Sequence, residues 1–322
     1  MKRLKTALFV TLTVSAAAAV AFAQPPAGKD LLWAFPVASA VVNKAPAPVP
    51  VGPQQVAGSD KSYTQVQLDS TAAAVDWFPD QHLPQPTIVR DGQANFGFAC
   101  GSCHLANGRG HPESADLSGL TAEYIIRTMA DLKSAARNDP IRMTAVSKAT
   151  PESDVREAAA WFASLKTANV QWIKVVEQAT VPHTYIGPGR MRFIDPDAPG
   201  VEPIGKRVIE LPVEIQRVRQ RDPRATFIAY APPGSVAKGK ALVSGKGKTP
   251  PCALCHGEKL QGLGNVPAIA GTHPAYIARQ LYDFQTGARN GADAQLMKGV
   301  VAKLDDDDIV ALSAYLATLP RG

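Results

Sequence analysis

Aromatic and charged side chains are scarce in this chain of 322 residues, at 7% and 19%. The basic residues are scattered and do not form the basic patch that a nucleic-acid-binding surface needs. The formal net charge is +6, and it falls to +3 when Lys2, Arg3 and Lys5 at the start of the chain are left out. A net charge this small does not indicate a nucleic-acid partner. After residue 23, no stretch approaches the ~18 consecutive apolar residues of a membrane span, so the mature protein is expected to be soluble.

Cysteine is also rare, and its four copies fall into two pairs. Each pair has two residues between the thiols and a histidine directly after, at 100–104 and at 252–256. A dithiol oxidoreductase would lie in a βαβ pattern, which neither copy shows. Zinc could take four thiols and two imidazoles, and two disulfides are conceivable, but neither alternative requires both histidines at that place. The sequence favours covalent haem c at both pairs.

In a c-type haem attachment motif, the chemistry explains the spacing. The two thiols add to the two vinyl groups of haem and form thioethers, and the two intervening residues set the span between them. The adjacent His104 or His256 then points its imidazole at the iron. We therefore expect haem attachment through Cys100, Cys103, Cys252 and Cys255.

The first 23 residues have the three parts of a secretory signal. Three basic residues precede an apolar run from Ala7 to about Val20, and Ala21-Phe22-Ala23 provides small residues for a cleavage site. We expect cleavage after Ala23 and export to the periplasm. The alternative is an uncleaved anchor, for which the 17 residues from Ala7 to Ala23 are at the lower limit.

An internal repeat divides the rest of the chain. An offset of 152 residues superposes the two cysteine motifs and several later residues, and an offset of 154 superposes a further set after a two-residue slip. The two copies are expected to share one fold, in domains at 81–169 and 235–322. Pairs at offset 152 include Gly119/Gly271, Tyr124/Tyr276, Arg127/Arg279, Asp131/Asp283 and Arg137/Arg289; pairs at 154 include Met143/Met297, Asp154/Asp308 and Trp161/Tyr315.

Both copies have helical periodicity. It predicts helices at 122–136 and 274–288, and again at 151–165 and 305–319. Thr150 is the expected N-cap of the helix at 151–165, with Pro151 in its first turn, and four aspartates from Asp305 to Asp308 begin the helix at 305–319. The Pro-rich residues 24–80 predict an extended arm that wraps a later domain or a partner. Residues 170–234 predict a linker with short strands at 172–177 and 206–211.

Methionine is the expected second axial ligand of each iron. Met143 and Met297 coincide under the repeat, and each is expected in an irregular stretch that folds across the distal face of the haem. Met129 aligns with Leu281 and is interpreted as core, whereas Met191 has no counterpart.

Other repeated or isolated polar residues have weaker interpretations. The paired arginines could bind haem propionates or form surface salt bridges. Tyr124, Tyr276, Trp161 and Tyr315 are expected to pack on the porphyrin or between helices, and Asp131 and Asp283 to lie where the domains meet. None of the remaining histidines, namely His82, His111, His183 and His273, repeats. Each is expected at the surface or locally satisfied, with His111 and His273 as the alternative distal ligands.

The two copies resemble the class I cytochromes c, specifically tandem two-haem periplasmic electron carriers, and the resemblance covers residues 88–166 and 236–320. The resemblance implies a mainly α fold of two cytochrome c-like helical haem domains. In the second copy, Ser235–Val243 resembles the N-terminal helix and Gly262–Pro267 the haem loop. The first copy departs from the pattern because Pro84 and Pro86 leave little room for that helix, which 75–79 or the arm is expected to replace.

The resemblance implies a carrier of single electrons between periplasmic or membrane-bound redox proteins, such as a dehydrogenase donor and an oxidase acceptor. One alternative is a haem enzyme, either a two-haem peroxidase or a sulfur-compound oxidoreductase. That alternative needs an open iron site with acid–base groups beside it, and the symmetry of Met143 and Met297 argues against it. A second alternative is a cytochrome subunit of a membrane oxidoreductase complex, with the arm and linker as docking surfaces.

Overall fold

A computed structural model describes residues 31–44, 48, 50–93, 97–166 and 170–322. The signal peptide predicted at 1–23 and the start of the arm lie outside the described residues. Over the described ranges, no helix combines the length and the apolar character that a bilayer crossing requires.

The described chain is mainly helical with short strands, as predicted. The helices are α1 (Gln65–Asp69), α2 (Thr87–Arg90), α3 (Cys100–His104), α4 (Ala122–Lys133), α5 (Met143–Ala149), α6 (Glu152–Ser164), α7 (Ile215–Arg219), α8 (Ser235–Val243), α9 (Ala253–His256), α10 (Pro274–Thr286), α11 (Ala294–Val301) and α12 (Asp306–Ala317). The strands are β1 (Ile173–Glu177), β2 (Thr180–Pro182), β3 (Thr184–Ile186), β4 (Arg192–Ile194), β5 (Val201–Pro203), β6 (Ile209–Pro212) and β7 (Phe227–Ala231).

The strands between the two copies form three small sheets. Strand β7 lies in the middle of the largest, parallel to β1 and antiparallel to β6. The pairs β2–β5 and β3–β4 are antiparallel. The sequence indicated β1 and β6 but not β7, although β7 has the alternating burial of a strand with one face on the core.

The repeat is visible in the backbone. Helix α4 corresponds to α10, and α6 to α12, within two or three residues of the predicted bounds. Left-handed backbone recurs at the same offset: Leu105 and Gly257 have φ of 61° and 80°. Ala135 and Gly287, which follow the paired helices, have φ of 63° and 76°. Turns of this kind favour glycine, so the first copy holds non-glycine residues in strained conformations at both places.

Two local predictions are wrong. Met143 and Met297 do not lie in irregular chain, because Met143 begins α5 and Met297 lies inside α11. Thr150 does not cap α6; its hydroxyl donates to the Val146 carbonyl of the preceding helix, and Pro151 takes the cap position. The predicted acidic start of α12 is confirmed, since Asp305 and Asp308 form a reciprocal capping box there.

The copies differ in how their last helix is covered. Helix α8, present as expected, packs on α12 at Gly239, where an added Cβ would lie only 2.0 Å from the Ala311 carbonyl oxygen. In the first copy the single turn α2 takes this place, packing on α3 and α6. The segment 75–79 does not replace it; Val75, Trp77 and Phe78 form a separate small cluster.

The arm and linker join the core of the second copy. Leu31, Trp33 and Phe35 are buried in the same hydrophobic cluster as the β1–β7–β6 sheet and α10 to α12. The Trp172 indole donates to the Gly271 carbonyl at 2.8 Å. A smaller cluster forms the core of the first copy, around Phe162 of α6.

Candidate haem sites

A large apolar cleft lies against the first cysteine motif. It encloses about 1430 Å³, including the part open to solvent, and its wall includes Cys100, Cys103, His104 and Met143. The wall is mostly apolar, which suits a macrocycle that must be shielded from water. The structure thus brings together all four residues predicted for the first site.

The two predicted proximal histidines have equivalent hydrogen bonds. Nδ1 of His104 lies 2.8 Å from the Ala115 carbonyl oxygen, and Nδ1 of His256 lies 2.7 Å from that of Pro267, eleven residues on in both copies. A carbonyl can only accept, so Nδ1–H donates and Nε2 keeps its lone pair. Burial lowers the pKa of both histidines. Each imidazole is therefore neutral and oriented as a metal ligand requires.

In each cysteine pair, the first thiol is protected by burial, whereas Cys255 is exposed. All four are free, although both pairs lie within single turns of chain at α3 and α9. Burial raises the pKa of Cys100 to about 12 and also raises that of Cys252. A redox dithiol or a zinc site needs accessible thiolates from both members of a pair, and the burial of Cys100 and Cys252 disfavours this. Within the described ranges, no cluster of three His, Cys, Asp or Glu side chains could hold a metal ion.

The methionines separate into different groups. Met143 lines the first cleft together with His104, and Met129 of α4 lines it as well. Met297 is half buried and packs on the core of the second copy. Met191 packs on that core from the linker. Two thioether side chains, of Met129 and Met143, therefore lie on the wall of the first cleft.

The two copies meet through a reciprocal contact. Arg137 and Arg289 face each other, with Asn138 N–H donating to the Ala288 carbonyl and Asn290 N–H to that of Ala136, at 2.6 and 2.7 Å. Such an exchange of equivalent bonds is typical of a two-fold relation.

The side chains at this contact also cross between copies. Arg137 donates to the Tyr276 hydroxyl at 3.3 Å, and Arg289 donates to the Tyr124 hydroxyl at 2.9 Å. Both arginines also donate to Gln280 Oε1. Burial alone would raise the pKa of Tyr124, but the two guanidinium charges outweigh it and lower that pKa. The tyrosines thus lie between the copies and on the wall of the first cleft.

Asp131 and Asp283, predicted at the domain contact, both lie there. The carboxylate of Asp131 packs on Gly291 of the other copy. A Cβ added at Gly291 would lie 2.1 Å from Asp131 Oδ2. Asp283 is 5% exposed, and burial raises its pKa from 3.8 to about 7, helped by Asp139 and opposed by the arginines.

Asp283 should make stability depend on pH. The unfolded chain releases this proton near pH 3.8 and the folded chain near pH 7, so folded stability falls as pH rises between these values. Asp283→Asn should flatten that part of the curve. Denaturant unfolding at about pH 5 and about pH 8 measures it. Asp60→Asn, at an exposed carboxylate, is the control, and an unchanged slope in Asp283→Asn would contradict the assignment.

The remaining histidines pair with carboxylates, and the repeated arginines Arg127 and Arg279 have different surroundings. His82 pairs with Asp76, His111 with Glu113 and His183 with Glu202, while His273 lies 2.5 Å from Glu210 in a buried pair. Arg127 forms a half-exposed ion pair with Asp293 of the other copy. Its counterpart Arg279 is buried, lines the first cleft and donates to the carbonyls of Ala34, Pro112 and Glu113.

Sequence reasoning missed a buried ion pair next to the first site. Arg321 Nε lies 3.0 Å from Asp116 Oδ2, and both side chains are 1% exposed. Arg321 also donates to the Ser118 carbonyl at 2.9 Å. Asp116 follows Ala115, which accepts the His104 hydrogen bond, so a residue beyond α12 braces the proximal loop of the first copy. Asp116 corresponds to Ala268 under the repeat, so no sequence signal pointed to this pair.

The donor set fits haem c. Two cysteine thiols, a neutral imidazole and the thioethers of Met129 and Met143 line one apolar cleft in the first copy. The second copy repeats the thiol pair and the oriented imidazole. Neutral soft donors of this kind suit haem iron better than hard cations such as Mg²⁺ or Ca²⁺.

Comparison with known proteins agrees with this chemistry. Residues 236–320 match the family model for cytochrome c. Cytochrome c4 of Pseudomonas aeruginosa is 27% identical over 236 residues, covering 71% of this chain and 87% of that protein. Cytochrome c-554(547) of Halothiobacillus neapolitanus is 34% identical over 94 residues, which cover 27% of this chain and 98% of that one. A protein of Thiomonas intermedia named thiosulfate dehydrogenase electron acceptor is 24% identical, covering 69% of this chain and 79% of that one.

These relatives agree with the duplicated motif and the oriented histidines, and together they identify the family of this chain. The chain belongs to the class I c-type cytochromes, and it is a two-haem electron-transfer protein with covalently bound haem c.

Proposed function

We propose that this protein is a periplasmic electron carrier with two six-coordinate haems. The first haem is attached at Cys100 and Cys103 and the second at Cys252 and Cys255. His104 and His256 are the proximal ligands. Met143 and Met297 are the distal ligands.

The observation that carries this proposal is the equivalence of the two imidazoles. Each donates Nδ1–H to a carbonyl eleven residues further on, and each therefore presents Nε2 as the coordinating atom. The supporting carbonyls, of Ala115 and Pro267, are themselves related by the repeat offset of 152. A shared orientation of this kind serves a shared metal chemistry.

The chain positions and shields the cofactor. Bound haem supplies one-electron chemistry, and methionine–histidine ligation favours a high reduction potential. The apolar wall of the first cleft excludes water from the macrocycle. The buried arginines Arg137 and Arg279 on that wall are cations that can pair with the propionate carboxylates.

The partners follow from the carrier function. The sequence of residues 1–23 supports export to the periplasm, and the mature chain would exchange electrons there with a dehydrogenase donor and an oxidase or other acceptor. We assign the repeat units 81–169 and 235–322 to the two haems, and residues 170–234 to a linker that packs with the second unit. The arm packs on that unit through Leu31–Phe35.

The enzyme alternatives have weaker support. A peroxidase or a sulfur-compound oxidoreductase would need a free iron position, whereas both copies carry a methionine at the expected distal place. The Thiomonas relative is named as the electron acceptor of a dehydrogenase, which agrees with a carrier rather than with the catalytic subunit.

Methionine variants test the distal ligands. Met143→Ala and Met297→Ala should each remove half of the weak red absorption band of methionine-ligated ferric haem. Met129→Leu is the matched control, because it introduces the residue of the second copy, Leu281, into the same cleft. It should leave the band intact. Loss of the band in Met129→Leu, or its full retention in Met143→Ala, would overturn the assignment at the first site.

A further inference from the structure

The linker hairpin reaches the wall of the first haem cleft. Strands β3 and β4 are antiparallel, with Thr184 opposite Ile194. The connection between them places Gly189 and Arg190 on the wall of the cleft. Both of these residues have left-handed backbone, with φ of 78° and 68°. A non-glycine residue in that conformation stores strain, which the surrounding contacts must hold.

The tip of the hairpin holds the chain before Met143. Arg190 Nη1 donates to the carbonyl oxygen of Ile141, two residues before the methionine. Asp139 Oδ1 also accepts from the N–H groups of Ile141, Arg142 and Met143, at 2.8, 2.7 and 3.3 Å. The segment 139–143 is therefore fastened by a carboxylate of its own and by a guanidinium from the linker.

The hairpin is itself anchored, so it can act as a support. Val42 N–H of the arm donates to the Ile186 carbonyl at 2.8 Å. Tyr185, Ile186 and Phe193 are buried. Arg192 donates to Thr184 Oγ1 at 2.8 Å across the hairpin.

In the second copy, the equivalent segment before Met297 has different contacts. At offset 154, Asp139 corresponds to Asp293, which makes no side-chain cap to α11 and pairs with Arg127 at 2.6 Å. Ile141 corresponds to Gln295, an exposed residue, and Leu296 next to Met297 is 79% exposed. Among the described contacts, the hairpin fastens the distal segment of the first copy alone.

We propose that Arg190 is a positioning residue for Met143, and that the linker hairpin keeps the first iron closed to outside ligands while the second exchanges its methionine more readily. This proposal rests on the proposed methionine ligands. Opening the first distal segment breaks the Arg190–Ile141 bond, and a hydrogen bond from a charged donor is strong enough to change the equilibrium by about tenfold.

Imidazole titration of the ferric holoprotein tests the proposal. In the wild type the red band should disappear in two steps, the second at about tenfold higher imidazole. In a Met297→Ala background the remaining band reports the first iron alone. Adding Arg190→Ala there should lower the half-saturating imidazole concentration about tenfold, and Arg190→Lys should restore part of the difference. Arg207→Ala, which removes a linker arginine outside the hairpin that pairs with Glu202, should have no effect.

The outcomes separate this inference from the proposed function. If Arg190→Ala leaves the titration of the first iron unchanged while Met297→Ala has removed half of the band, the positioning role is wrong and the ligand assignment stands. If the wild type has no such band, the methionine ligation fails first. Far-UV circular dichroism and two bound haems per chain confirm that each variant is folded.

Discussion

Replacing Arg321 by methionine should cost about 3–5 kcal/mol of unfolding free energy, because it leaves the Asp116 carboxylate buried without its cation. The pair lies 3.0 Å apart with both side chains 1% exposed. Methionine keeps a similar length and fills the space. Guanidinium unfolding of the holoprotein, followed by circular dichroism, measures the loss.

Two further variants identify the cause. Arg321→Met with Asp116→Asn should recover part of the loss, since asparagine removes the buried charge and its oxygen can still accept from Ser118, as Asp116 does at 2.9 Å. Lys206→Met removes the exposed ion pair with Asp307 and should cost below about 1 kcal/mol. A loss in Arg321→Met no larger than in Lys206→Met would show that the buried pair does not stabilise the fold.

Gly239→Ala should cost about 3 kcal/mol or more, since its methyl group would force α8 away from α12. The added Cβ would lie 2.0 Å from the Ala311 carbonyl oxygen and 2.7 Å from the Tyr315 Cβ. These neighbours are backbone and the root of a side chain, so neither can rotate aside. The same denaturant experiment measures the effect, and loss of the second haem environment should accompany it.

The chain contains a matched control for this substitution. Gly299 lies in the exposed part of α11 and has no atom within 4 Å of an added Cβ. Gly299→Ala should therefore stabilise the protein by about 0.5–1 kcal/mol, the helix preference of alanine over glycine. Equal effects from the two glycine changes would rule out the steric explanation.

The sequence predicted the parts of the fold that depend on local signals. Periodicity located α4, α6, α10 and α12, and the acidic start of α12 marked its cap. The repeat related the two cysteine motifs at an offset of 152 residues, and the same offset relates Ala115 to Pro267, the acceptors of the two histidines. Such features need only neighbouring residues or a fixed offset, and both are visible in one sequence.

The unpredicted features join residues that are distant in sequence. Arg321 meets Asp116 and Arg190 meets Ile141 across interfaces that no periodic pattern describes. Helices α5 and α11 were missed because they contain seven and eight residues, too few for a clear period. The arm was expected to wrap a later domain or a partner, but the sequence did not identify the surface, which contacts such as the packing of Phe35 against Tyr282 place on the second copy.

Haem content and coordination of the purified protein test the central claim most directly. Intact mass together with the alkaline pyridine spectrum should give two covalently bound haems per chain, and the ferric absorption spectrum should be low-spin with the methionine band for both irons. A protein with one haem or none, with zinc at the thiols, or with a high-spin iron that binds peroxide would contradict the account.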